Sequence, residues 1–355
     1  MKSIPSYERV LVAAELWFGA TGAGLTQGFR GLGWDVVEVD PREHFIMGRS
    51  RSLRIASRLL KSQCSHSYNQ SIRNAAETFH PAAFVAVKGN YIDVETLRLL
   101  RSLGVVTAIY YPDFHFDHPG LDQRSFAEYD LFFTTKSFQL DYLRERLGED
   151  RVQLIHHGYA PLVHRPRKER MEEADYIADV LYVGNYSPYK QAWLAGISRA
   201  LPDIRLMIVG NGWSEPAARF APNATVIGHH VLGDGFARLL QSAKINIAVH
   251  FGPTGPNEWE DLVSIRTFEI PACKSLMLHV DNPEVRSLFD VGTEIDVFST
   301  PEELAGKIRY YLDNPDRRAA LIEAAYRRCV PHYSYDMRAK EILAGIDALR
   351  GGGLR

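Results

Sequence analysis

Residues 261–278, DLVSIRTFEIPACKSLML, place two carboxylates and a guanidinium just ahead of an apolar segment. Asp261 and Glu269 lie eight positions apart, with Arg266 between them. Positions 266 and 269 share one face of a helix, because residues three apart on a helix are neighbours. In open α/β sheets, ligands bind where strands end and helices begin. The stretch therefore predicts a strand-edge site in which the carboxylates accept hydrogen bonds from sugar hydroxyls and Arg266 faces a phosphate.

Short apolar runs alternate with amphipathic stretches along the chain, which is typical of parallel sheets covered by helices on both faces. In the first half, strands are predicted at residues 9–16, 34–40, 82–89, 105–111, 130–135 and 151–157. In the second half, they are predicted at residues 179–185, 204–212, 224–228, 245–251, 275–280 and 294–299. Helices are predicted between them, near residues 188–200, 234–243, 264–273 and 301–313. The pattern indicates two consecutive doubly wound α/β units.

Length and composition agree with two domains. The chain has 355 residues, and single cores stop growing at roughly 250–300 residues. The densely charged stretch 164–179 is the predicted linker. The formal net charge of -2 gives no global attraction to nucleic acid, so no nucleic-acid partner is expected.

Cysteine usage and hydropathy bear on the compartment. The three cysteines, Cys64, Cys273 and Cys329, form no C-x-x-C pair, which argues against a disulfide framework and a zinc site. No stretch of about 18 apolar residues is present to span a bilayer. We therefore expect a cytoplasmic protein.

Three segments together resemble a known family. The stretch RTFEIPAC at 266–273 precedes a predicted strand, and PEELAGKIRYYLDNPDRRAAL at 301–321 and HYSYDMRAKEIL at 332–343 follow it. This combination resembles the CgeB-like (spore maturation protein, glycosyl transferases group 1) branch of the GT-B glycosyltransferases. The resemblance implies an α/β fold with two Rossmann-like doubly wound parallel-sheet domains facing a central cleft. It implies an N-terminal acceptor domain at 1–165, a C-terminal nucleotide-sugar donor domain at 175–330, and a last helix at 335–350 that packs back on the first domain.

The resemblance also implies roles for individual residues. Glu269 matches the second glutamate of the family's E-x7-E motif, which binds the nucleotide ribose. Asp261 occupies the place of the first glutamate, which contacts the donor sugar. Lys190 matches the lysine that the family places on the donor pyrophosphate. Asn185 stands where an arginine is usual, so we expect Arg266 to share phosphate neutralisation with Lys190.

Further donor-binding candidates surround these residues. Two glycines in VGNGW at 209–213 allow close backbone approach to a ligand or simply form a turn. Lys274 departs from the family pattern, because a glycine is expected after PAC. The remaining nucleotide-binding candidates on this domain are Gly184, Asn185, Gly210, Asn211, Gly212 and Thr267.

The first domain carries a glycine-rich loop after its first predicted strand. Gly22 and Gly24, with Asp40 at the end of the next strand, invite a dinucleotide-binding interpretation. The fit is poor, because Gln27 stands where the third glycine of that motif belongs and Gly28 comes one place late. In a GT-B enzyme this loop faces the donor phosphates, so Gly22 and Gly24 are predicted to approach them.

A polar loop follows the strand at 105–111. Asp113, His115 and Asp117 occupy alternating positions there. His115 is the candidate for activating an acceptor hydroxyl, because the unperturbed pKa of histidine lies near neutrality. The three side chains could instead bind a metal, although a fourth ligand is missing from the loop, or His115 could be structural.

Residues 42–61 form a basic segment, in which Glu43 is the single acidic residue. One interpretation is peripheral contact with an anionic membrane, at its inner face, or with an anionic acceptor. The other is an ordinary solvated charged face. The spacing predicts one shared helix face for the last four of its basic residues, which are Arg42, Arg49, Arg51, Arg54, Arg58 and Lys61.

From the resemblance we expect a glycosyltransferase that uses a UDP-, GDP- or dTDP-sugar, with retention and with neither a metal nor a bound cofactor. The acceptor class stays open among glycans, lipid-linked substrates, proteins and small molecules. A sugar-nucleotide epimerase, an NAD-dependent oxidoreductase and a catalytically silent sugar-nucleotide-binding protein are the alternatives.

Overall fold

The computed structural model describes residues 8–46, 50–167, 171–214, 220–255 and 258–352. The chain divides into two compact units. Unit 1 comprises Met1–His157 and Tyr335–Arg355, and unit 2 comprises Gly158–Ser334. Each unit contains a six-stranded parallel sheet, which confirms the predicted doubly wound α/β class.

The sheet of unit 1 has the strand order β2-β1-β3-β4-β5-β6. Its strands are β1 (Arg9–Ala13), β2 (Asp35–Val39), β3 (Ala83–Val87), β4 (Val106–Tyr111), β5 (Leu131–Thr134) and β6 (Val152–Leu154). The helices of this part of the chain are α1 (Thr21–Gly31), α2 (Arg51–Leu59), α3 (Lys61–Phe79), α4 (Val94–Ser102) and α5 (Leu140–Leu147). The central strands β3 and β4 are apolar except for Thr107, because helices cover both faces of the sheet.

The sheet of unit 2 has the strand order β12-β11-β10-β7-β8-β9. Its strands are β7 (Ala178–Val183), β8 (Leu206–Val209), β9 (Ala224–Ile227), β10 (Ala243–Ala248), β11 (Met277–Val280) and β12 (Asp296–Phe298). Its helices are α6 (Pro188–Ala200), α7 (Gly233–Gln241), α8 (Arg266–Ala272), α9 (Pro283–Leu288), α10 (Pro301–Asp313) and α11 (Pro315–Cys329). Ser187 and Thr300 cap α6 and α10 by accepting hydrogen bonds from backbone N–H groups of the first turn.

The boundary between the units lies earlier than the predicted residue 165. Residues from Gly158 onward pack in unit 2, where the backbone N–H of Tyr159 donates to the carbonyl of Tyr333 at 3.0 Å. The side chain of Tyr159 is buried in the core of unit 2. The charged stretch that suggested the linker therefore follows the true boundary.

The last helix, α12 (Tyr335–Gly352), belongs to unit 1 and packs along α1. Tyr335 is fully buried, and its hydroxyl lies 2.9 Å from the hydroxyl of Thr21. A Cβ atom at Gly24 would lie 2.4 Å from Cδ2 of Tyr335, so only glycine allows this approach. Among the described residues, no helix combines the length and apolarity needed to cross a bilayer.

Each sheet has one topological switch point, where consecutive connections leave in opposite directions. In unit 1 it lies between β1 and β3, and in unit 2 between β7 and β10. Open α/β sheets bind ligands outside the carboxyl ends of their strands at such points. Ligands are therefore expected at these two places.

Candidate functional site

At the switch point of unit 2, Lys190 and Asp261 both contact Phe251. Phe251 follows β10, and its carbonyl accepts a hydrogen bond from the backbone N–H of Asp261 at 2.9 Å. The ammonium of Lys190 lies 3.7 Å from the centroid of the Phe251 ring and also donates to the carbonyl of Asn185 at 3.2 Å. Both charged residues are buried, with exposed fractions of 5% and 6%.

Arg266 is held at the end of β7 by three contacts. Its Nε donates to the carbonyl of Val183 at 3.1 Å, and its Nη1 pairs with Oε2 of Glu269. The guanidinium carbon lies 4.4 Å from the centroid of the Phe236 ring. The side chain nevertheless remains 27% exposed.

The carboxylate of Glu269 is buried between two partners. Its Oε2 faces Arg266, and its Oε1 lies 3.3 Å from Nε2 of His164. The backbone N–H of Ala160 donates to Nδ1 of His164 at 3.0 Å, which leaves the ring proton of the neutral histidine on Nε2, facing the carboxylate. Burial lowers the pKa of His164, so the neutral form is favoured.

The two members of the predicted pair, Arg266 and Glu269, differ in solvent exposure. The side chain of Glu269 is only 5% exposed, whereas that of Arg266 is 27% exposed. Arg266 is thus the more accessible of the two charged side chains, and Glu269 pairs with its guanidinium. Ribose binding by Glu269 stays a prediction, and in this structure both carboxylate oxygens already have protein partners.

Thr267 occupies a structural position. It is fully buried, and its hydroxyl accepts from the backbone N–H of Ser264 at 3.2 Å and lies 3.0 Å from Nε2 of His279. The same Nε2 lies 2.9 Å from Nε2 of His250. Burial lowers the pKa of His279 to about 4, so this histidine is neutral at physiological pH. The network connects α8 to the ends of β10 and β11.

The glycines predicted to approach a ligand in unit 2 lie close to neighbouring protein groups, and their contact with a ligand stays a prediction. A Cβ atom at Gly184 would lie 2.4 Å from the hydroxyl of Tyr182, and one at Gly210 would lie 2.0 Å from the carbonyl oxygen of Gly184. At Gly212, φ is +85° and a Cβ atom would lie 3.0 Å from Cβ of Tyr186. Close packing of the loops after β7 and β8 explains all three glycines.

Asn211, a nucleotide-binding candidate, and Lys274, a departure from the family pattern, also have local roles. Asn211 accepts from the backbone N–H of Tyr186 through its carbonyl at 2.9 Å, and its side chain contacts His230. Lys274 has φ +57°, in the left-handed region that favours glycine, which explains why the pattern expects glycine there. Its ammonium pairs with Glu323 at 2.6 Å.

In unit 1, the glycine-rich loop and Asp40 serve the fold. A Cβ atom at Gly22 would lie 2.4 Å from Cβ of Ala14, so this glycine lets α1 start close to β1, as Gly24 lets α12 approach α1. Asp40 accepts from Arg42 and from the backbone N–H of Leu16. The acid that a dinucleotide site needs for a ribose is thus engaged within the protein, which weakens the oxidoreductase alternative.

In the loop after β4, the candidates His115 and Asp113 have different surroundings. His115 is exposed, and its carbonyl accepts from the hydroxyl of Tyr111. Asp113 instead lies 3.2 Å from the ammonium of Lys88 and 3.4 Å from Nε2 of His118. Within the ranges that the structure describes, no group of three His, Cys, Asp or Glu side chains is placed to hold a metal ion.

The basic segment at 42–61 does not form the single helix face that its spacing predicted. Helix α2 ends at Leu59, Leu60 has φ −96° and ψ 6°, and Lys61 begins α3. Arg42 pairs with Asp40, whereas Arg58 is exposed. Arg49 lies outside the described residues, as do the side chains of Arg51 and Arg54.

Comparison with known proteins agrees with this architecture. Residues 190–344 match the protein-family model Glyco_trans_1_2, which is described as Glycosyl transferase-like. A glycosyltransferase from Rickettsia africae is 11% identical, with a TM-score of 0.66 over 97% of this chain and 98% of that chain. Anabaena HepE in complex with UDP-glucose is 10% identical, with a TM-score of 0.61 over 95% and 99%.

A third similar structure comes from a different class of enzyme. A Listeria monocytogenes protein named as a UDP-N-acetylglucosamine 2-epimerase is 10% identical, with a TM-score of 0.56 over 98% of each chain. At these identities the similarity establishes the fold, which is GT-B with two Rossmann-like domains. A comparison with curated protein sequences found no match.

Proposed function

We propose that this chain is a glycosyltransferase of the CgeB-like branch that transfers a sugar from a nucleotide-diphospho sugar to a hydroxyl acceptor. The observation that carries the proposal is Arg266, a partly exposed side chain held by its contacts at the switch point of unit 2. It lies within the part of the chain that matches the glycosyl transferase-like family. A planar guanidinium matches the oxygens of a diphosphate in geometry and charge.

In the proposed mechanism, unit 2 binds the donor and stabilises its leaving group. As the bond between the sugar and the diphosphate breaks, negative charge grows on the phosphate oxygens. Arg266 and Lys190 neutralise that charge, and preorganised charges lower a barrier more than flexible ones. Asp261 contacts the donor sugar. The reaction proceeds with retention at the anomeric carbon and without a protein-held metal or a further cofactor.

A nucleotide-binding experiment tests the donor part of the proposal. UDP, GDP, dTDP, CDP, ADP and NAD, and the sugar conjugates of the diphosphates, are each added to the full chain, and the melting temperature is measured. A ligand at 100 times its Kd adds about 2.7 kcal/mol of stability, which shifts the midpoint by a few degrees at this size. UDP and UDP-glucose come first, because HepE was solved with UDP-glucose.

Two variants sharpen this measurement. Arg266→Ala is expected to lose most of the shift, whereas Arg286→Ala is expected to keep it, because Arg286 forms an exposed pair with Asp281 on the same unit. A shift with NAD alone would contradict a nucleotide-sugar donor, and so would an unchanged melting temperature with every compound. Equal shifts in both variants would remove Arg266 from the donor site.

The epimerase remains a second candidate because a similar structure is named as one. Product analysis with the nucleotide sugar alone separates the two activities. An epimerase converts the donor to a new sugar nucleotide without an acceptor, whereas a transferase releases free sugar only slowly. With an acceptor present, the proton NMR coupling at the new anomeric carbon reports whether configuration is retained.

Peripheral membrane contact is a separate proposal, and the described part of α2 supports it. Ile55 and Leu59 are 50% and 74% exposed, one helical turn apart, and the exposed Arg58 lies between them. Exposed apolar and basic side chains on one helix suit an anionic bilayer surface. Co-sedimentation with vesicles containing an anionic lipid is expected for the native chain and weaker for Leu59→Ser/Arg58→Glu. Equal binding by the two proteins would dismiss the contact.

A further inference from the structure

Unit 1 has a cavity of about 390 Å³ at its own switch point. It lies at the carboxyl ends of β1, β2 and β3, where open α/β sheets place their ligands. Its volume falls within the range of small-molecule pockets, about 300–1,000 Å³. The residues that decide its chemistry are Glu15, Trp17, Phe45, Tyr68, Asn90 and Tyr91.

Four aromatic rings form part of its apolar wall. The rings of Phe45 and Tyr91 have centroids 4.2 Å apart at an interplanar angle of 31°, and Tyr68 meets Phe45 edge-on at 6.3 Å. Trp17 adds a fourth ring, and its Nε1 donates to Oε2 of Glu15 at 3.4 Å. The rings offer flat apolar surfaces against which the C–H face of a ring-shaped ligand can pack.

The polar groups of the cavity include a carboxylate that accepts hydrogen bonds. Glu15 is exposed and lines the cavity, and its oxygens accept from hydroxyl or amide groups. Burial and the nearby charges of Asp40 and Glu15 raise the pKa of Tyr68, so its hydroxyl stays protonated and can both donate and accept. Oδ1 of Asn90 has no hydrogen-bond partner within the described structure, and it is buried from solvent. A ligand with hydroxyl or amide hydrogens therefore suits this part of the cavity.

Arg42 and Lys88, the two cations that line the cavity among the described side chains, do not select an anion. Arg42 makes its hydrogen bonds to both carboxylate oxygens of Asp40, and Lys88 lies 3.2 Å from the carboxylate of Asp113. Their charges are thus balanced within the protein. A neutral ligand with several hydroxyl groups fits the cavity better than a phosphate or a carboxylate does.

We propose that this cavity binds a pyranose-type carbohydrate, with the apolar ring face on the aromatic wall and hydroxyl groups donating to Glu15. We further assign this cavity as the acceptor site of the enzyme. The acceptor is then the sugar end of a glycan or glycoside. This second statement rests on the proposed function, whereas the binding of a sugar does not.

Saturation-transfer NMR on the full chain tests the inference without a donor. The probes are the methyl α- and β-glycosides of glucose, galactose, mannose and N-acetylglucosamine at millimolar concentration, with phenol and inorganic phosphate as comparison compounds. At least one glycoside is expected to bind. Trp17→Ala and Glu15→Gln are each expected to weaken that binding at least tenfold, whereas Phe18→Ala is not, because Phe18 is the 50% exposed neighbour outside the lining.

The outcomes separate this inference from the proposed function. Nucleotide binding without any glycoside binding, or glycoside binding equal in all three variants, overturns the cavity assignment and leaves the donor site intact. Preferred binding of phenol or phosphate overturns it too, in favour of an aromatic or an anionic ligand. Glycoside binding that Trp17→Ala and Glu15→Gln abolish upholds the cavity even if no nucleotide binds. Circular dichroism of each variant confirms that the fold is kept.

Discussion

The two switch points of this molecule differ in the kind of side chain that they gather. In unit 2, Arg266, Glu269 and His164 form a chain of charged and polar groups that hold one another in place. In unit 1, the corresponding edge carries an open cavity with aromatic walls and the unpaired amide oxygen of Asn90. The same sheet architecture therefore sets where ligands bind, and the side chains set which ligands they are.

Replacing Arg266 gives the strongest test of the charged switch point. Arg266→Ala removes the accessible cation, so we expect turnover to fall by about 10²–10³-fold, as for the loss of one preorganised charge stabiliser. The donor KM should change less, because the interaction strengthens as charge develops. The measurement is steady-state kinetics with the donor that the nucleotide-binding experiment identifies.

Two companion variants make that result interpretable. Arg266→Lys keeps the charge and avoids leaving Glu269 with one partner, so it covers the case in which Arg266→Ala folds poorly. Lys190→Ala is expected to reduce turnover as well. Wild-type turnover in both alanine variants would exclude leaving-group stabilisation by these residues.

Glu269→Gln asks whether this carboxylate acts on the ribose or through Arg266. If it orients the guanidinium, we expect turnover to fall about 10–100-fold, as for the loss of a supporting partner. Adding the change to Arg266→Ala should then cost little more, because the two residues act as one unit.

Donors lacking the 2′- or 3′-hydroxyl provide the second readout for Glu269. A carboxylate that binds the ribose makes the native enzyme discriminate against these donors, and Glu269→Gln would abolish the discrimination. An orienting carboxylate leaves the discrimination unchanged. The loss of discrimination would therefore favour the family's ribose contact over the orienting role.

The buried histidines of unit 2 predict an acid-sensitive stability. The pKa of His279 is lowered to about 4, against about 6.5 in an unfolded chain. Below pH 6.5 the unfolded state binds a proton that the folded state does not, so stability is complete above that pH and falls toward pH 4. Between pH 7 and pH 5 this histidine alone should cost about 2 kcal/mol.

Chemical denaturation at the two pH values measures this loss. His279→Gln should reduce the drop in unfolding free energy, and His66→Gln, which changes an exposed histidine, should not. An identical drop in the native protein and His279→Gln would mean that other groups cause it. His164 contributes with the same sign, because burial lowers its pKa as well.

The glycines of α1 give the smallest expected effect and bear on unit 1. Gly24→Ala places a methyl group 2.4 Å from the Tyr335 ring, so we expect a loss of about 1–2 kcal/mol from overpacking. Gly31→Ala meets nothing within 4 Å and should be neutral or stabilise the helix by up to about 1 kcal/mol. Equal midpoints in thermal unfolding would contradict the packing role of Gly24.

The strands were predictable because their apolar runs are local features of the sequence. The Arg266–Glu269 pair was predictable for the same reason, since residues three apart meet on one helix face. The other contacts of the pair were missed. His164 contacts Glu269 and Phe236 contacts Arg266, and both come from other parts of the chain. A sequence pattern contains no signal for such long-range contacts.

Glycines show a second limit of prediction from sequence, because a ligand contact was predicted where the structure shows a contact within the protein. Gly22, Gly24 and Gly210 were predicted to face a ligand, and the structure explains each by the approach of another part of the protein. A glycine marks a place where a side chain does not fit, and the sequence does not say what occupies the space. The cavity beside Trp17 was missed because its walls come from loops after three different strands.

The position of α12 has a consequence for how the molecule is made. Unit 2 is one continuous segment, whereas unit 1 needs residues from both sides of it. During synthesis, every residue of unit 2 is therefore added to the chain before Tyr335, which fills its place beside Gly24. Unit 1 is the last part to be completed, and until then the face of α1 that carries Gly24 and Gly28 lacks the helix that packs on it.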